Sequence, residues 1–135
     1  MPAIGIMLYG YGEEDAALIQ EAVEEVLGEE VDLISAAGQE EKVVADILER
    51  ADSVNFEEQD IKVMMVLGFS EEQLDKALKG FPRREGLARP IFCVLTQHNT
   101  RWPLMHLIED LLEERRAFQE MQRRQVEQGL ALIHI

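Results

Sequence analysis

Four short apolar runs, at residues 4–9, 31–35, 61–67 and 91–96, alternate along this chain with four segments of helical period. That alternation is the pattern of α/β proteins, in which helices pack on both faces of a sheet. Each run is nearly continuous in apolar residues, as a strand covered on both faces must be. Periodicity alone does not separate such a run from a buried helical turn. The short lengths, the Gly and Pro punctuation and the β-branched content select strands.

The first helical segment, 13–27, carries Ala16, Ile19, Val23, Val26 and Leu27 on one stripe, opens on acidic residues and stops at Gly28. A second helix is expected over 39–50, burying Val43, Val44, Ile47 and Leu48. The third begins at Ser70, whose spacing to Gln73 is that of a capping box, and carries Leu74, Ala77, Leu78 and Phe81 before Gly80 and Pro82 end it. The last starts near Pro103, a residue suited to a first helical position, with Leu104, Leu107, Ile108, Leu111, Leu112 and Phe118 as its apolar stripe. Glu109, Asp110, Glu113 and Glu114 precede Arg115, Arg116, Arg123 and Arg124 on it, an order that suits i,i+4 pairing and the helix dipole. Residues 51–60 form the longest connection, tethered by Val54 and Phe56.

The chain also repeats itself. Leu8-Tyr9-Gly10-Tyr11-Gly12-Glu13-Glu14 resembles Val66-Leu67-Gly68-Phe69-Ser70-Glu71-Glu72, each read as the end of a strand followed by a helix start. Two βαβα halves, 1–58 and 59–128, followed by an apolar tail, 129–135, are expected within one α/β domain spanning 1–135. Because parallel crossovers are right-handed, the preferred solution is a mainly parallel sheet of order 2-1-3-4 with helices on both faces. The carboxyl ends of strands 1 and 3 would then form a topological switch point, where open α/β sheets hold ligands.

Size and charge narrow the functions open to such a fold. One domain of 135 residues with 47% apolar content builds a core without disulfides or metals. A formal charge of −14 repels polyphosphate and anionic headgroups, so neither a nucleic-acid nor a membrane partner is expected. The lone Cys93 lies inside the fourth apolar run and reads as a small buried hydrophobe. Met1-Pro2-Ala3-Ile4-Gly5-Ile6-Met7 reads as the approach to a first strand rather than a signal peptide, which makes the cytoplasm the simplest location.

No catalytic constellation emerges. His98, His106 and His134 lack metal-ligand spacing, and Ser35 and Ser70 lie outside any Gly-x-Ser-x-Gly elbow, so no metal, cofactor or enzymatic reaction is expected. Two loop clusters remain as ligand-site candidates. Gly10, Tyr11 and Gly12, with Gly68, Phe69 and Ser70, would let backbone approach a ligand at helix starts; alternatively the glycines only relieve tight turns while the aromatics cover the core edge. Thr96, His98, Asn99, Arg101 and Trp102 form a polar loop that would hydrogen-bond an anionic or carbonyl-containing ligand against an indole wall; alternatively Asn99 or Thr100 caps the last helix and Trp102 anchors it.

The run Met65-Val66-Leu67-Gly68-Phe69-Ser70-Glu71-Glu72-Gln73-Leu74-Asp75, followed by Val94-Leu95-Thr96, Asn99, Trp102 and Leu104, resembles the bacterial and archaeal domain of unknown function 3783 over roughly 61–119. The resemblance implies no activity, cofactor or site residue. Where that family often has Thr after the Trp, this chain has Pro103. The functional expectation is a non-catalytic binding or regulatory module acting through protein contacts, a homodimer whose last helix and apolar tail are largely buried. The rival is a sensor of a small ligand or of a nucleotide-derived metabolite, bound at the carboxyl edge of strands 1, 3 and 4.

Overall fold

The computed structural model describes the backbone of residues 3–49 and 55–133 and the side chains up to residue 125. Its elements follow in the order β1 (Gly5–Tyr9), α1 (Glu13–Leu27), β2 (Asp32–Ser35), α2 (Val44–Glu49), β3 (Val63–Leu67), α3 (Glu71–Lys79), β4 (Ile91–Val94), a short 3₁₀ turn (Asn99–Arg101) and α4 (Leu104–Ile133). The strands lie side by side as β2-β1-β3-β4.

The sheet is mixed, and this corrects the expectation of a mainly parallel one. β1 pairs with β2 in parallel and β3 with β4 in parallel, but β1 and β3 run antiparallel, from Gly5 opposite Leu67 to Tyr9 opposite Val63. The expected helix over 39–50 is shorter in the structure, with 6 residues in α2, and the chain does not cross to the far end of the sheet before β3. The chain instead turns back along the edge it has just reached, where Ser35 Oγ donates to the Asn55 carbonyl and Gln59 N donates to the Gly10 carbonyl at 3.0 Å. β3 therefore starts beside the end of β1.

Two apolar layers flank the sheet. Even-numbered β1 residues Ile6 and Leu8, with Met64 and Val66 of β3, face Ala16, Ile19 and Val23 of α1 and Phe81 after α3. Met7, Tyr9, Val63 and Met65 face Val44 and Ile47 of α2 and Leu104, Leu107 and Leu111 of α4. Every residue of β1 is buried, so the strand beside the antiparallel seam is the centre of the fold.

α1 has the expected bounds, and Gly28 closes it in a left-handed conformation with its N–H on the Glu24 carbonyl. Ser70 and Gln73 form the expected capping box on α3. The stretch before α2 is not helical, because its backbone serves another element. The Lys42 and Glu40 carbonyls accept from Leu104 N and Met105 N at 2.8 and 2.9 Å. They thereby satisfy the first orphan donors of α4. α4 continues as helix through Ile133, past Gly129, so the backbone of 130–133 belongs to the last helix rather than to a separate tail. The expectations placed on Val54, and on the side chains of Leu130, Leu132, Ile133 and Ile135, lie outside the described residues.

Candidate functional site

The antiparallel seam decides which candidate residues meet. Since β3 and β4 are parallel, Gly68, Phe69 and Ser70 share one sheet edge with the Thr96-to-Trp102 loop. The carboxyl end of β1 lies at the opposite edge, and with it Gly10, Tyr11 and Gly12. The expected switch point, with both Gly-aromatic turns at one crevice, is thus replaced by two separate edges.

Each Gly-aromatic turn is accounted for by chain packing. Gly10 has φ +92°, and a Cβ there would run into the Ile61 carbonyl oxygen as the chain passes over it. Gly68 has φ +76°, and a Cβ would approach the Ala3 carbonyl to 3.1 Å. Tyr11 is 1% exposed, and its hydroxyl donates to the Ala88 carbonyl at 2.6 Å. Phe69 packs on the same layer. Gly12 caps the backbone of α1 without a side chain, and its carbonyl accepts from Ala16 N. Ser70 Oγ is taken by Gln73 N at 3.1 Å, while Ser70 N donates to Gln73 Oε1 at 2.9 Å.

The polar loop is a self-contained clasp. Asn99, 8% exposed, accepts from Thr96 N at 2.8 Å, donates through Nδ2 to the Val94 carbonyl at 3.0 Å, and donates its backbone N–H to Thr96 Oγ1 at 3.0 Å. Its side chain secures the turn between β4 and α4 rather than capping α4. Trp102 is half-buried, meets His106 edge-on at 4.7 Å, and accepts from Val44 N through its carbonyl, tying α2 to α4. Pro103 precedes α4 by one residue and bridges to Val43. His98 and Arg101 are exposed. A cleft of about 360 Å³ beside this loop is lined by Cys93, Thr96, Asn99 and Trp102, with Asp110 and Glu114 also in its wall.

The buried titratable groups are held neutral. Burial, and secondarily Glu114, push the Cys93 thiol up to about 12, so it carries no nucleophilic thiolate near neutrality. Burial, with the hydrogen bond from the Tyr9 hydroxyl to Glu40, raises Tyr9 to about 12. Tyr11 is raised further by burial and Asp15, partly offset by Arg89. None of these is poised as an acid or base at neutral pH.

Two surfaces stand out instead. Beyond Leu112, α4 leaves the sheet, and every residue from Glu113 to Gln125 is exposed, Phe118 at 61% and Met121 at 60%. The other surface was passed over in the sequence: the connection from α3 to β4, where Arg83, Arg84 and Arg89 surround an opening of about 380 Å³. Its signal was three arginines within seven residues of an acidic chain.

Among the described residues, no helix is long and apolar enough to cross a membrane. No curated protein and no solved structure matches the chain. The second half is different: residues 62–118, from the start of β3 to Phe118 of α4, match the family described as Domain of unknown function (DUF3783).

Proposed function

We propose that this chain is a non-catalytic, self-associating binding module that acts through protein contacts, with α4 as the surface that joins two copies. The observation that carries the reading is the outward run of α4, which presents Phe118 and Met121 to solvent. Phe118 stands seven residues beyond Leu111 and so continues the core-facing stripe of the same helix. Large side chains exposed together on an otherwise charged element mark an interaction surface.

The charge order of α4 supports a second copy as the occupant. Glu109, Asp110, Glu113 and Glu114 fill one stretch, and Arg115, Arg116, Arg123 and Arg124 dominate the next, with Glu120 as the acidic residue among them. A parallel pair would set like charge on like. An antiparallel pair centred near Phe118 sets Glu113 and Glu114 of one copy beside Arg124 and Arg123 of the other and brings the two Phe118 rings together, matching potentials across the contact. Such matching is needed, because two bodies of charge −14 otherwise repel. The two βαβα halves are read, within the same proposal, as a duplicated unit of which only the second extends its last helix outward.

Sedimentation of the full chain tests this. The wild type is expected to be dimeric, and Arg123→Glu with Arg124→Glu to be monomeric. Adding Glu113→Arg and Glu114→Arg to that variant restores the dimer by exchanging the charges. A wild type that stays monomeric at high micromolar concentration refutes self-association, and a dimer indifferent to the charge reversal refutes α4 as its surface.

A further inference from the structure

The connection between Gly80 and Ile91 is held rigidly at both ends. Phe81 is 3% exposed in the layer beneath α1, and the Tyr11 hydroxyl fixes the Ala88 carbonyl. Arg89 donates through Nη2 to the Leu78 carbonyl at 2.8 Å, closing the carboxyl end of α3. Its guanidinium lies over the Phe92 ring at 4.9 Å and the Phe81 ring at 5.7 Å, a stacked position in which cation and ring attract. Gly86, with φ +85°, turns the chain, and Leu87 N reaches the Arg84 carbonyl at 3.1 Å. The result is a concavity of about 380 Å³ with Phe81, Pro82 and Leu87 as its apolar wall and Arg83, Arg84 and Arg89 around it.

What sets these arginines apart is that three of them share one concavity with no carboxylate paired to any of them among the described residues. The ion pairs among the described residues join Lys76 to Glu72, Lys79 to Asp75 and Arg124 to Glu120. None reaches Arg83, Arg84 or Arg89, although the chain holds 27 acidic residues against 13 basic ones. Glu85 is the one acidic residue between Gly80 and Ile91 in sequence. We propose that this concavity binds a small phosphomonoester, its phosphate held by Arg83, Arg84 and Arg89 and its organic part set against Phe81 and Leu87. Guanidinium forks match phosphate oxygens two at a time, and three of them suit a dianion. The volume is that of a small-molecule site rather than of a polymer groove.

This site lies on the connection from α3 to β4, away from the outward part of α4, so it stands or falls independently of self-association. The test is thermal shift and calorimetry on the full chain, with inorganic phosphate and phenyl phosphate as probes in buffers matched for ionic strength with chloride. Phenyl phosphate is expected to bind more tightly than inorganic phosphate and to raise the melting point, as any ligand of the native state does. Arg83→Gln with Arg84→Gln changes two exposed residues and is expected to weaken both probes about tenfold or more. Arg89→Lys retains the charge but removes the fork, and is expected to weaken phenyl phosphate while phosphate loses less. Equal affinity of the double variant and the wild type overturns the site. Malonate binding as tightly as phenyl phosphate overturns the phosphate class, and an RNA oligonucleotide held through the same arginines overturns the small-molecule assignment.

Discussion

Tyr9 and Tyr11, the 2 tyrosines of the chain, share a phenol that the fold keeps protonated. The folded-state value of Tyr9 is raised from 10.0 to about 12, that of Tyr11 is raised further, and that of Cys93 is raised from 9.0 to about 12. Raised acids favour folding while neutral, so their contribution is complete below the unfolded values and is lost as pH rises through the folded ones. Stability is therefore expected to fall from about pH 9 upward. Phenolate absorbance should stay low at pH 10, where a free tyrosine is half ionised, and then rise together with the loss of helical circular dichroism. A full phenolate signal at pH 10 with the dichroism intact would contradict the buried placement. Residues of this kind were legible in part. The turn role of Gly10 and Gly68 follows from a strand meeting a helix, whereas the Ile61 and Ala3 carbonyls that make it obligatory come from distant segments. Asn99 was legible as polar and loop-borne. That its amide would be spent on Thr96 and Val94 was not, because both partners depend on where β4 ends.

Among the elements, α3 is the most completely encoded by its own residues. Ser70, Gln73 and Gly80 mark its ends, and Ser70→Ala is expected to lower stability by about 1 kcal/mol, the usual worth of an N-cap, measured by urea unfolding. Ser70→Asp should recover most of that, and a Ser70→Ala variant as stable as the wild type would mean that the cap contributes nothing. α2 is the opposite case. Val43, Val44, Ile47 and Leu48 have helical spacing, but the Lys42 and Glu40 carbonyls accept from Leu104 and Met105, and the stretch before Val44 is turn rather than helix. The competing demand comes from an element that begins more than fifty residues later, which no local pattern reports. α4 was legible as a long amphipathic helix. Its departure from the sheet after Leu112 was foreshadowed by an apolar stripe reaching farther than short strands require.

For the whole molecule, strand order was legible and strand direction was not. Order was read from the two similar Gly-aromatic turns and the crossover rule, while direction depended on the edge at which the connection 36–62 returns the chain, which no local pattern reports. With it went the shared crevice, because reversing β3 against β1 sends one Gly-aromatic turn to each edge. The same seam has a consequence for how the polypeptide may be divided. Residues 3–49 and 55–133 touch in every layer: through five residue pairs of β1 and β3, through α1 against α3, and through the Val43 to Pro103 bridge with the hydrogen bonds at the root of α4. A nick between Glu49 and Asn55 removes the tether and leaves those contacts standing, at the expense of the association entropy that the tether suppressed. Two separately encoded pieces, 1–52 and 53–135, are thus expected to complement one another on co-expression, co-purifying as a one-to-one complex that melts in a single transition; pieces that fold apart and fail to associate would show that the seam depends on the chain being continuous.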